Sequence, residues 1–142
     1  MRKDDGTGSR QALAAIRMVA AAMMVIHGGY RIADFSRVAG FGEFLESRGL
    51  PAGVACAMLI TIWEILAGMA RAVGPLPRWI APLFALELAA GIVLVHRGEG
   101  WFVVGGGRNG MEYSVLLIAV MLAVGWQDRK CNRPPAAPQE RL

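Results

Sequence analysis

Apolar positions along this chain gather into four long runs separated by short polar punctuation. The first, roughly residues 12–32, reads ALAAIRMVAAAMMVIHGGY through most of its length. The second spans about 51–73, the third about 78–95 and the fourth about 111–126. Each approaches the ~20 residues that an α-helix needs to cross a bilayer. Between the first two runs lies a segment of another kind, residues 34–50. There Phe35, Val38, Phe41, Phe44 and Leu45 recur at helical spacing with Arg37, Glu43, Glu46 and Arg48 between them. Such a stretch is too polar to span, and is expected to lie at the interface or over the bundle. Gly49 ends it, and Pro51 is placed to open the next helix. The pattern therefore predicts an all-α integral membrane four-helix bundle with an amphipathic interfacial helix between spans one and two.

The ends differ from this middle. Residues 1–11 read as a disordered N-terminal tail. Residues 12–128 form the membrane domain, and residues 129–142, rich in proline and charge, form a polar tail. The basic start ahead of an apolar run resembles a signal peptide, but Arg17 and His27 interrupt that run and its length suits an uncleaved span. Gly74, Pro75 and Pro77 mark a tight turn between spans two and three. Trp79, Trp101, Phe102, Tyr113 and Trp126 fall near span ends, as interfacial anchors do. Arg2, Lys3, Arg10, Arg71, Arg78, Arg129, Lys130, Arg133 and Arg141 share one side of a four-span topology. Arg31, Arg37, Arg48, Arg97 and Arg108 share the other. This excess places both termini in the cytoplasm of a bacterial-type inner membrane.

Composition sharpens the picture. The chain has 142 residues, of which 55% are hydrophobic and 18% charged. That balance suits lipid as solvent better than water. The net charge of +4 is scattered at span ends and forms no basic stripe, so nucleic acid is not an expected partner. Cys56 stands inside an apolar run and Cys131 in a polar tail, which argues against a structural disulfide. No histidine or cysteine pair has metal-ligand spacing, and no metal site is expected. The eight methionines show no regular series and read as packing residues. Gly105-Gly106-Gly107 lacks the strand and the Gly-Lys-Ser/Thr ending of a phosphate loop, and reads as a flexible turn.

The candidate chemistry lies in charges inside the apolar runs: Arg17, His27, Glu64, Glu87 and Glu112. Facing lipid, each would cost about 2.5–3.5 kcal/mol or more at mid-bilayer. They are expected to point into the bundle. Measured from the cytoplasmic span ends at ~1.5 Å per residue, Arg17 lies about 8 Å deep, Glu64 and Glu87 about 12–14 Å, and His27 and Glu112 about 22 Å. Two layers follow. Arg17 serves Glu64 or Glu87 in the inner one, with one acid protonated at neutral pH. His27 and Glu112 share the outer one. These groups are either structural pairs that hold the bundle in register, or a polar pocket for a quinone headgroup, a proton or a small solute. Small residues Gly68 and Ala72 follow Glu64 on one face, where a neighbouring helix can approach.

Several features taken in order resemble the DoxX family of small four-helix membrane proteins. They are Arg17 in the first span, the pair His27-Gly28 near its end, and Gly49-Leu50-Pro51 closing the amphipathic segment. Glu64-Ile65-Leu66-Ala67-Gly68 and the segment WFVVGGGRNGMEY, with Asn109-Gly110 and Glu112, complete the set. The resemblance covers roughly residues 12–128. It implies a membrane subunit of an oxidoreductase. Relatives are the membrane part of a thiosulfate:quinone oxidoreductase or associate with thiol- or superoxide-handling enzymes. By this resemblance Arg17, His27, Glu64 and Glu112 are interior polar positions, while Glu87 has no family role. The chain carries no redox centre of its own, so a quinone is the one cofactor implied. Partners are the bilayer and other protein subunits, or further copies of this chain. The alternatives are an assembly scaffold and a small proton-coupled transporter using Glu64 or Glu87.

Overall fold

The computed structural model describes residues 7–74, 79–104 and 108–131, the last four by backbone alone. The expectations for the extreme tails, for the Pro75–Pro77 turn and for the triple glycine lie outside these residues. Among the described residues there are five α-helices: α1 (Thr7–Ile32), α2 (Phe35–Ser47), α3 (Gly53–Val73), α4 (Ile80–Gly91) and α5 (Glu112–Cys131). Among the described residues there is no strand.

Three helical segments are long and apolar enough to cross a membrane: Thr7–Ile32, Gly53–Val73 and Ile80–Glu99. The apolar part of α5, Glu112–Gln127, reaches roughly 24 Å at 1.5 Å per residue. The chain is a multi-pass helical membrane protein. Large side chains cover its outside, Ile26, Leu59, Leu66 and Leu86 among them, which suits a surface solvated by lipid.

The helix bounds differ from the apolar runs in instructive ways. α1 begins at Thr7, so residues 7–11, expected in a disordered tail, form its first turns. Nothing in that polar stretch breaks a helix already nucleated by the apolar run. α3 begins at Gly53 behind an N-cap residue, Ala52, in the left-handed region with φ 54°. Pro51 therefore precedes the helix and does not open it. The helix of α4 runs on through a π-helical turn, Ile92–His96, and a 3-10 turn, Arg97–Glu99.

α2 is the separate amphipathic helix that the spacing predicts. Asp34 caps it, its carboxylate accepting from the Ser36 N–H at 3.0 Å, which satisfies one of the helix's orphan donors. Val38, Gly42 and Leu45 form its buried face. Gly49, at φ 90°, donates from its N–H to the Glu46 carbonyl and ends the helix. α2 lies close on the start of α3, because a Cβ at Gly53 would stand 2.6 Å from the Glu46 side chain. Glu46 in turn accepts from the Gly53 N–H at 2.9 Å.

α1 lies beside α3 on one flank and α5 on the other, α5 lies beside α4, and α2 rests on α3 and α1. The main core joins Ala20 and Met24 of α1, Ala67 of α3, Ile80 and Phe84 of α4, and Met121 of α5. A smaller core joins Val38 and Leu45 to Ala57. α3 and α4 meet through long side chains, with the Trp63 and Phe84 rings 5.1 Å apart. The α1–α3 contact is of the opposite kind. Cβ atoms placed at Gly28 and Gly68 would lie 2.9 Å from the Thr61 carbonyl and 3.2 Å from the Ala21 carbonyl. Small residues bring backbones this close where lipid gives no hydrophobic drive to associate.

Candidate functional site

The buried face of α3 runs Ala57, Thr61, Glu64, Ala67, Gly68 and Arg71, a stripe at alternating steps of four and three that meets α1. On α1 the matching stripe is Ala21, Met24 and Gly28, and three residues further on it reaches Arg31. Gly28 leaves the space that the base of Glu64 occupies, since a Cβ there would stand 3.2 Å from the Glu64 Cβ.

Arg31 then folds over this gap. One guanidinium nitrogen donates to Glu64 Oε2 in an ion pair, and Nη1 approaches Thr61 Oγ1 at 3.4 Å. The Thr61 hydroxyl donates to the Ala57 carbonyl at 2.7 Å, so it can offer Arg31 only a lone pair. The Phe41 ring of α2 covers the guanidinium at 4.8 Å. The two side chains are 11% and 5% exposed, so the pair is nearly out of solvent. A pair this buried gives little net stability over an apolar replacement, but breaking it by removing one partner costs about 3–5 kcal/mol.

A second acid joins from α4. The Glu87 carboxyl accepts from the Trp63 indole N–H at 3.0 Å, and Trp63 is the residue before Glu64 on α3. Glu87 is half-buried where Glu64 is buried. The result is one guanidinium, two carboxyls, one hydroxyl and one indole at the meeting of α1, α3 and α4, with α2 above. Such a cluster can hold a proton, and it can offer N–H donors and a carboxyl to a polar headgroup. Among the described residues no group of histidine, cysteine and acid side chains could hold a metal.

The expected two-layer arrangement is corrected on each layer. Arg17 is not the partner of Glu64. The contacts of Gly28 with Thr61 to Ile65 and of Gly68 with Ala21 and Val25 set the antiparallel register and put Arg17 level with the C-terminal end of α3. Gly28, level with Glu64, lies eleven residues from Arg17, roughly 16 Å along the helix. That is beyond the reach of an arginine side chain. Arg71, read above as a loop charge, is 1% exposed on this same last turn of α3. His27 and Glu112 do not share a layer either. His27 is exposed on the outer face of α1. Glu112 accepts from the Val103 N–H at 3.0 Å and closes the loop before α5. The Gly110 and Glu112 N–H groups donate to the Phe102 and Trp101 carbonyls. His96 bonds through Nδ1 to the Asn109 carbonyl at 2.7 Å. A carbonyl only accepts, so Nδ1 carries the proton.

Glu64 lies in the buried pair with Arg31, and Glu87 joins α3 through Trp63. Arg31, Thr61 and Trp63 are the members that the sequence argument passed over. A signal for Arg31 lies in the sequence, since it continues the Ala21, Met24 and Gly28 stripe at helical spacing. Apart from this cluster, an apolar groove of about 330 Å³ lies between α1 and α5, lined by Ala15, Val19, Met23, Tyr113, Leu116 and Val120 among others. It faces away from the Arg31 stripe and offers no titratable side chain but Tyr113.

No curated protein and no solved structure matches the chain. A family model does, that of DoxX, over residues 12–97. The matched stretch takes in α1 from residue 12 on, α2 to α4 and every member of the buried cluster, and leaves Glu112 and α5 outside. With more than half of its length so matched, this chain belongs to the DoxX family.

Proposed function

We propose that this protein is the membrane subunit of a redox complex, and that the Arg31–Glu64–Glu87 cluster is its site for a quinone headgroup. One observation carries this reading: a second acid, Glu87, is held by the Trp63 indole at 3.0 Å, on the residue next to Glu64 of an Arg31–Glu64 pair that is already complete. A pair kept only for packing needs no further acid, and an added buried carboxyl is costly in lipid. The residues suit a quinone. Arg31 has guanidinium N–H donors for a carbonyl oxygen, Glu87 supplies a carboxyl at the half-buried edge, and Trp63 supplies an aromatic wall. A bound quinone would supply two-electron acceptance, and the cluster would orient the headgroup and hold a proton beside it.

The chain has no metal-ligating group among its described residues, so in this reading electrons come from a partner subunit. Four spans with both termini in the cytoplasm fit the charge distribution. Removing buried Arg71 and Arg31 from the loop charges leaves the basic excess on the side of the termini. The test is purification of the tagged chain from its native membrane in mild detergent. Bound quinone and a soluble oxidoreductase subunit are the expected companions, with quinone lost in Glu87→Gln. A clean chain that neither retains quinone nor is stabilised by added decylubiquinone or a menaquinone analogue refutes the reading and leaves a scaffold role.

A further inference from the structure

We propose that the seam between α3 and α4 is a lateral entrance from the membrane to Glu87 and the Arg31–Glu64 pair, with Trp63 as its latch. What passes is the planar headgroup of a molecule dissolved in lipid. The proposal rests on the quinone reading of the same cluster, and adds to it a route and a positioning residue.

The helices follow one another around the bundle as α3, α1, α5 and α4, and their seams are closed by different means. At α1–α3 a Cβ on Gly68 would stand 3.2 Å from the Ala21 carbonyl. At α4–α5 a Cβ on Gly125 would stand 2.5 Å from that of Ala81. α2 seals the start of α3 in the same way, since a Cβ on Gly42 would stand 2.6 Å from the Val54 backbone. Backbones this close part only by moving whole helices. The α1–α5 seam leads into the apolar groove, away from the cluster. The α3–α4 seam is bridged by a side chain. Trp63 lies against the Phe84 ring at 5.1 Å and donates to Glu87 at 3.0 Å, while Gly91 of α4 meets nothing within 4 Å. A side chain changes rotamer far faster than packed helices shift.

Glu87 shows what the seam opens on to. At 1.5 Å per residue it stands roughly 10 Å from one end of the Ile80–Glu99 span and roughly 18 Å from the other. It is half-buried, so its uncovered part opens within the thickness of the bilayer and not to water. Leu59 and Leu66, one turn to either side of Trp63, and Leu83, one turn before Glu87, are exposed and share their faces of the two helices. They give the entrance an apolar rim, which admits a lipid-soluble molecule and turns away a hydrated solute. Behind the rim stands the tilted Trp63–Phe84 ring pair, where a planar headgroup can stack in turn. As Trp63 swings, its N–H leaves Glu87, and the carboxyl is free to meet the headgroup. Trp63 is thus a positioning residue: it holds Glu87 while the seam is closed and releases it when the seam is open.

Photolabelling of the full chain in lipid nanodiscs tests the proposal, with a short-tailed azidoquinone as probe and excess decylubiquinone as competitor. Mass spectrometry should place the competed label on Leu59, Leu66 or Leu83. Leu83→Trp narrows the rim and should slow the release of bound quinone several-fold while the amount retained stays the same. Leu86→Trp, on the exposed face beside the seam, should release quinone at the wild-type rate. Trp63→Phe keeps a ring but removes the donor to Glu87, and should speed release several-fold, which a purely space-filling role would not do. A competed label confined to the groove residues Val19, Met23 and Leu116, or a release rate that Leu83→Trp leaves unchanged, overturns the lateral entrance and leaves the quinone site standing. A chain that takes no competed label anywhere refutes the quinone reading, and the entrance falls with it.

Discussion

Closeness of α1 to α3 is what puts Arg31 beside Glu64, and a single methyl group tests it. In Gly28→Ala the new Cβ would meet the Thr61 carbonyl at 2.9 Å and the Ile65 Cγ1 at 2.8 Å. The first distance falls some 0.5 Å short of the 3.4 Å at which ordinary contact begins. A backbone carbonyl within a helix cannot move alone, so the helices themselves must part. Overpacking of this kind costs about 1–3 kcal/mol. The neighbouring Gly29 is the internal control, since a Cβ there meets nothing within 4 Å. Both changes gain up to about 1 kcal/mol of helix propensity. The two variants should therefore differ by about 1–3 kcal/mol, with Gly28→Ala the weaker and Gly29→Ala at or above wild type. SDS titration in mixed micelles, followed by tryptophan fluorescence, measures the difference. If Gly28→Ala proves as stable as Gly29→Ala, the close seam and the register drawn from it are wrong.

Other outcomes follow from the same contacts. Glu64→Gln strands the Arg31 charge and should lower unfolding stability by about 3 kcal/mol, with much of the loss recovered in the Glu64→Gln/Arg31→Gln double variant; additive losses would exclude the pair. His27 is exposed on the outer face of α1, so His27→Leu should change stability by less than about 0.5 kcal/mol in the same titration. Glu46→Ala removes the acceptor of the Gly53 N–H and should cost about 1 kcal/mol, seen as faster amide exchange at the start of α3. The Ser36 hydroxyl, then the Ser36 N–H, and less strongly the Arg37 charge hold the Asp34 carboxyl below its ordinary 3.8. A depressed acid stabilises the fold above its unfolded value, and that support is lost as pH falls below 3.8 through the folded value. Amide exchange in the first turn of α2 should rise over that acid range in the wild-type chain and lose this pH dependence in Asp34→Ala.

The sequence by itself determined what depends on local hydrophobicity and local backbone chemistry. Apolar runs long enough for a bilayer give α1, α3 and the α4 segment directly, because the free energy of a span is largely a sum over its own residues. The helical spacing of Val38, Phe41 and Leu45 gives α2, and Gly49 gives its end. The same reasoning identifies Glu64 and Glu87 as interior groups, since a charge within an apolar run has few places to go. Register is a property of two helices at once, and there tertiary structure decided. Counting depth from assumed span ends set Arg17 opposite Glu64, whereas the fit of Gly28 and Gly68 against the facing helix slides α1 until Arg31 arrives there. The partners of His27 and Glu112 were decided in the same way, by the face of α1 turned outward and by the folded loop before α5. Contact between backbones depends on which small residues meet across a seam, and no single helix carries that information.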